Sequence, residues 1–433
     1  MILVYSTKQS LRLKYILDLI FKDVLGISYL LTTDLIDYTS CQKAKLKYAE
    51  SINDDELGII SVGLLFEVGI KEQNIGIGEW KGNKILFKTN STSEIPFDFF
   101  SAVFYLLTRY EEYLPHIRDK YDRFEAESSL AFQHGFLHKP LVNYWIEEFK
   151  KILKQNFPEI QFKERKYSYL SSIDIDNAFA FKQKGVMRTI GGYARAIVNF
   201  FWIDISERTR VLFGKQRDPY DTYDFILDLQ NKHQIELLFF FLLGDYGTND
   251  KNLPSNNKVF QSLIKKMYDY ADVGIHPSFG SNYKQGQLKR EISRLSSIIH
   301  KDITSSRQHF LKLNFPNTYK NLIENGITDD YSMGYASNVG FRASFCYSYN
   351  WFDLDTDTET NLRIHPFAVM EATLRFYLKL NPSDANNIVK PLNLEVRKFN
   401  GEMITIWHNE TLSDWREWRG WKNVYEEIIC ICK

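Results

Sequence analysis

The segment Ser172-Ile173-Asp174-Ile175-Asp176-Asn177 sets two carboxylates two residues apart at the end of an apolar run. Two like charges so close need a cation or a proton between them. A divalent metal on one carboxylate, with the other left as a proton acceptor, resolves the repulsion. A pair of caps for the next helix is the plainer alternative. A second candidate is Gly274-Ile275-His276-Pro277-Ser278-Phe279-Gly280-Ser281-Asn282, where a histidine ends an apolar strand and a proline pins it. That suits a metal ligand, against the competing reading of a satisfied, partly buried histidine. A third is Ser306-Arg307-Gln308-His309-Phe310. Arginine can hold a carboxylate in place and keep it ionised. If the segment is a strand, Arg307 and His309 point to one face; a strand with ordinary polar residues is the alternative. The fourth is Trp407-His408-Asn409, where a histidine could serve as a general acid near neutral pH or sit at a core edge.

The elements that must position these groups read as two α/β units. The first spans 1–160, with strands near 1–5, 27–31 and 57–62 and helices over 11–25, 99–113 and 141–157. Residues 158–166 are polar and read as a linker. From Tyr167 short apolar strands alternate with one-faced helices. Strands are predicted at 167–173, 237–243, 273–275, 309–313, 341–345 and 403–406. Asp218-Pro219 is expected to open a helix, with Asp218 as its cap. Further helices are expected on the stripe Val259, Leu263, Met267, on Leu288, Ile292, Leu295, Ile299, and over 319–325 and 366–380. Repeated βα units give a parallel sheet, open or closed. Ionisable residues gather where the strands stop: Asp174 and Asp176, Asp245, His276, Asp329 and Asp330, His408. The carboxyl ends of parallel strands are where α/β folds hold their sites.

Composition excludes some classes. The 433 residues carry 54 Lys+Arg and 54 Asp+Glu, so there is no global field to draw the chain to nucleic acid. Hydrophobic content of 44% with 25% charge is that of a globular protein. Aromatics at 15% are abundant and can fill a core or line a site for flat ligands such as sugars. The four cysteines are scattered without metal or disulfide spacing. No secretion signal or membrane-spanning run is visible, and a cytoplasmic location is the expectation. The apolar stretch 196–205 reads as a buried helix in preference to a membrane contact.

In their order the four motifs resemble the polysaccharide deacetylases, the nodulation-protein-B homology domain of carbohydrate esterase family four. The resemblance runs from Tyr167 to about the C-terminus, so that 167–433 would be a distorted parallel (β/α) barrel behind the smaller α/β domain of 1–160. It implies a metal-dependent hydrolase acting on a carbon–nitrogen bond other than a peptide bond. Such an enzyme removes N-acetyl or O-acetyl groups from a saccharide or glycan precursor. Asp174 would be the general base, Asp176 and His276 metal ligands, Arg307 the residue that orients the base, and His408 the acid that protonates the leaving amine. The metal is a divalent cation, with Zn2+ the expected identity. The family's second motif has another histidine four residues after the first, where this chain has Gly280. His309, where the family usually has proline, is then the expected third ligand, with Ser278 or Asn282 also within reach. Ser278, Phe279, Asn282, Asp330 and Trp407, with Tyr283, are expected to meet the sugar. If the departure at Gly280 removed turnover, the barrel would instead be a carbohydrate- or partner-binding protein. The stretch 107–113 with Asp122-Arg123-Phe124 resembles a region that precedes such barrels in some bacterial proteins, and reads as a charged face packed against the barrel.

Overall fold

The computed structural model describes residues 1–53, 56–90 and 93–433. The N-terminal part builds a four-stranded parallel sheet from β1 (Ile2–Ser6), β2 (Tyr29–Thr32), β3 (Lys45–Ala49) and β4 (Gly58–Ile60), in the order β2-β1-β3-β4. A short hairpin, β5 (Gly78–Trp80) and β6 (Asn83–Ile85), follows. Helices Phe99–Leu107 and Leu141–Asn156 pack their buried faces into this part.

A nine-stranded sheet occupies the rest. Its strands are β7 (Ser168–Ile175), β8 (Glu236–Phe241), β9 (Asp272–Ile275), β10 (Ser305–Ser306), β11 (Asp329–Asp330), β12 (Tyr349–Asp353), β13 (Thr358–Ile364), β14 (Val369–Met370) and β15 (Glu402–His408). The order is β12-β13-β11-β10-β9-β8-β7-β15-β14, and every pairing is parallel except β12 with β13. The strands from β7 to β11 lie side by side in chain order, and the late strand β15 returns to pair with β7, setting His408 opposite Asp174. The apolar run of β8 is covered on both faces, as parallel sheets require. In β9, a Cβ at Gly274 would meet the Phe240 ring at 2.6 Å and the Ser305 carbonyl at 2.7 Å, so only glycine fits just before His276. One continuous hydrophobic cluster runs through both sheets. A smaller one, with Leu311, Ala336, Phe367, Met370, Ile404 and Ile406, lies beneath the site.

Several expected elements differ. The segment from His309 is a short 3-10 turn, Phe310 and Leu311 having φ of 61° and 54°, because β10 stops after two residues. The 341–345 segment is a turn, with Ser344 at φ 53° and its carbonyl accepting from Val142 N–H. The 366–380 segment divides into β14, drawn out by pairing with Thr405 and Ile406, and a π-helix at Thr373–Tyr377. Asp218 does not cap the helix Tyr223–His233; its carboxylate accepts from the N–H groups of Ala180, Phe181 and Lys182. In the helix Lys258–Tyr268 Phe260 takes the core position, and Val259 faces out. In the 196–205 stretch only Ala196 is buried, and residues 197–203 are exposed.

Candidate metal centre

Along a strand, alternate residues share a face. On β7, Ser172 and Asp174, with Asp176 just past the strand end, follow that alternation, while Ile173 enters the core. On β15, Ile404, Ile406 and His408 face the site side, and Met403 and Trp407 face the outer layer. Trp407 therefore cannot meet a sugar beside His408: it is buried and packs its ring 4.9 Å from Tyr425 of the C-terminal helix.

Asp176, His276 and His309 bring one ligand atom each within 4.8 Å of one another. His276 Nε2 lies 3.2 Å from Asp176 Oδ1, and His309 Nε2 lies 3.4 Å from Asp176 Oδ2. Both imidazoles are held from behind. His276 Nδ1 is 2.6 Å from the Arg307 carbonyl, and His309 Nδ1 is 2.9 Å from Asp250 Oδ1. With a proton on each Nδ1, both Nε2 lone pairs face Asp176, the tautomer a metal ligand needs. Asp176 Oδ1 is buried without a hydrogen bond. Two lone-pair nitrogens and a carboxylate aimed at one point fit a divalent metal ion. Burial alone would raise the Asp176 carboxyl, but His309 and His276 hold it well below the usual range. Burial pulls the His309 imidazolium down, and Asp176 and Asp250 outweigh it, raising its pKa to about 9.

Asp174 sits beside this cluster. Its Oδ1 accepts from Arg307 Nη1 at 3.2 Å, and its Oδ2 is 3.9 Å from His276 Nε2. The fully buried Arg307 also donates to Ser172 Oγ and the Tyr331 carbonyl and stacks over Phe240. One residue thus braces Asp174 through its side chain and His276 through its backbone. Across the site, His408 Nε2 is 3.8 Å from Asp176 Oδ2, and His408 Nδ1 is 2.6 Å from Glu371 Oε1. Burial would lower the His408 pKa; the buried Glu371 outweighs it and drives it well above the ordinary value.

The other expected contacts fall elsewhere. Asp330 is fully buried and accepts from Ser306 Oγ and from the N–H and Oγ of Ser332, so it braces strands rather than meeting a ligand. Ser278 is spent on Glu291, donating from Oγ at 2.5 Å and from N–H at 2.9 Å. Asn282 reaches only the Phe279 carbonyl, at 3.4 Å. Phe279 packs between Tyr283 and Phe310. Asp245 pairs with Arg294 at the surface, and Asp329 pairs with His365.

A family model described as a family of unknown function, DUF7033, matches residues 2–158. No curated protein matches the chain. Structural neighbours are polysaccharide deacetylases of carbohydrate esterase family four, at low identity and partial coverage. A protein from Mycobacterium smegmatis assigned as a polysaccharide deacetylase aligns at 13% identity and a TM-score of 0.40, over 63% of this chain and 86% of its own. A polysaccharide deacetylase from Bacillus cereus aligns at 12% identity and a TM-score of 0.30, over 61% and 88%. A family-four pseudoenzyme from Bacillus anthracis aligns at 11% identity and a TM-score of 0.25, over 61% and 60%.

Sequence reading missed three contributors and read a fourth, Arg123, only as part of a charged face. Asp250 lies in an irregular loop beyond β8, and only its position behind His309 reveals it; its oxygens also accept from the N–H groups of Phe279 and Gly280. Glu371 was hidden in a stretch expected to be helical. Glu410 lines the same pocket, and burial, with Asp176 adding to it, pushes its carboxyl up to about 7. Arg123, from the N-terminal part, donates to the Phe310 carbonyl at 2.7 Å and to Tyr377 Oη at 3.1 Å. It pins the left-handed Phe310 next to His309, a strained conformation for a bulky residue. The pocket over the cluster measures about 230 Å³, and its apolar side includes Leu311, Met370, Phe376, Tyr377 and Trp418.

Proposed function

We propose that this protein is a metal-dependent deacetylase acting on an acetylated saccharide, with residues 167–433 forming a distorted parallel (β/α) barrel and residues 1–160 a smaller domain against it. The observation that carries the reading is the convergence of Asp176, His276 and His309 on one point beside Asp174 and His408. The pairing of β15 with β7 supports the barrel. The span of the family model, 2–158, supports the domain division.

Asp176, His276 and His309 would hold a divalent cation, which when bound supplies Lewis-acid polarisation of the acetyl carbonyl and of a water. Asp174, held in place by Arg307, would take the water proton. His408, kept charged by Glu371, would give a proton to the departing amine at its nitrogen. A pocket of this size suits an acetyl group, with Phe376 and Tyr377, each about half exposed at the rim, offering faces to a sugar ring. Gly280 stands where the family carries a histidine, and Asp250 lies beside it: a Cβ there would be 3.6 Å from Asp250 Oδ2. His309, held by that same Asp250, replaces the missing ligand in this reading.

The departure at Gly280 also favours a second reading, a barrel that binds a glycan without turning it over. The deciding experiment measures bound metal per chain and acetate release from an N-acetylated oligosaccharide. Deacetylation predicts one metal per chain, removed by H276A, and acetate release abolished by D174N with metal retained. Metal and saccharide binding without acetate release would establish the second reading. Absence of metal, with H276A harmless, would sink the first.

A further inference from the structure

Directly after the Asp174–Asp176 segment the chain leaves the body as two helices, Gly185–Val198 and Trp202–Leu212. Each buries a single residue, Ala196 in the first and Val211 in the second. They are nonetheless apolar. Of the 28 exposed large hydrophobic residues among the described residues, 11 fall within 186–213. At the turn between the helices, Ile197, Val198, Phe200, Phe201, Trp202 and Ile203 are each more than half exposed. Such a patch marks an interaction surface.

Charge identifies what covers it. The whole chain is neutral, but residues 182–217 hold eight Lys and Arg against two acidic residues, and of the eight Arg217 is paired with Asp221 and Asp224 just beyond. Both acids turn back to the body, Asp204 onto Arg416 and Glu207 onto the Trp415 indole. Arg195, Arg210 and Lys215 stay exposed. A groove of about 480 Å³ runs beside the tip, between Phe200, Trp202 and the Trp415–Arg419 segment, and the exposed Arg419 has no ion pair among the described residues. Aromatic residues at the tip with cations around them complement an anionic bilayer interface, where rings enter the acyl boundary and cations meet headgroups. No helix of the described residues is long and apolar enough to cross a membrane, so the hairpin would lie on the surface rather than span it.

We propose that the 185–213 hairpin docks this protein on an anionic membrane surface through its Phe200–Ile203 tip and the cations that flank it. The full chain is mixed with vesicles of phosphatidylcholine alone or with phosphatidylglycerol, and bound protein is sedimented. Binding is expected to the phosphatidylglycerol vesicles, to weaken with added salt, and to fall about tenfold or more in the F200S/W202S double variant, which removes apolar area from the interface. An R210E/K215E variant should lose the preference for phosphatidylglycerol. Circular dichroism of both variants should match the parent, since all four side chains are exposed. Equal binding to both vesicle types, no binding, or binding unchanged in the double variant would overturn the proposal. So would a dimer in solution that the double variant dissociates while vesicles bind neither form, since the occupant would then be a second copy.

Discussion

Asp250 Oδ1 lies 2.9 Å from Nδ1 of His309, so a loop carboxylate fixes the ring that offers Nε2 to Asp176. Carboxylates in that position set the tautomer and the basicity of a ligand histidine. The D250N variant should keep its fold and lose roughly 10–100-fold in metal affinity. Calorimetric titration with zinc, against the parent protein, measures it.

Metal binding should depend on pH through His309. Without metal its pKa is raised to about 9, burial opposing and Asp176 and Asp250 driving the shift. The imidazolium must lose its proton before it can ligate. Affinity should therefore rise as pH rises toward about 9 and level off above it. Competition titrations with a chelator across this range would show it; a flat profile would remove His309 from the ligand set.

Glu371 should act on the reaction only through His408. The buried carboxylate keeps His408 charged, so E371Q should lower the His408 pKa. A general acid works only while protonated, so the loss of activity at high pH should begin at a lower pH in E371Q. The pH profile of acetate release separates this from simple destabilisation, which would lower the rate at every pH without moving the limb.

Arg123 joins the N-terminal part to the site through the Phe310 carbonyl. The R123A variant leaves that partly buried acceptor without its donor, and about 1 kcal/mol of the order around His309 should be lost. Weaker metal binding with a nearly unchanged melting temperature is the expected signature.

Glu112 pairs with Arg342 and Arg109 in a buried cluster between the two parts of the chain. Burial would raise its carboxyl, and the two arginines hold it below the ordinary range. E112A strands the buried Arg342, while Arg109 keeps Glu111, and should cost about 3–5 kcal/mol in denaturant unfolding. Because the folded-state pKa is depressed, the stabilisation is present above the usual glutamate range and lost as pH falls through the depressed value.

Much of the site is visible in local sequence. Asp174 with Asp176, His276, and His408 each follow an apolar strand, and strand geometry alone delivers them to one end of a parallel sheet. The buried runs of β7, β8 and β15 were legible for the same reason, since strands covered on both faces are continuously apolar. The His309 segment was misjudged, because two left-handed residues turn the chain where spacing suggested a strand. Trp407 was misassigned because being next to His408 in sequence puts it on the opposite face.

By itself the sequence determined which groups stand where apolar strands stop: the carboxylate pair Asp174 and Asp176, and the histidines His276 and His408. Tertiary structure alone decided which groups converge. His309, Asp250, Glu371, Glu410 and Arg123 come from turns, the approach to a π-helix and the N-terminal part of the chain, where side-chain direction depends on long-range packing. It also decided that residues 197–203 are exposed. Apolar residues record only a tendency to leave water; whether a core exists to receive them depends on what the rest of the chain brings alongside.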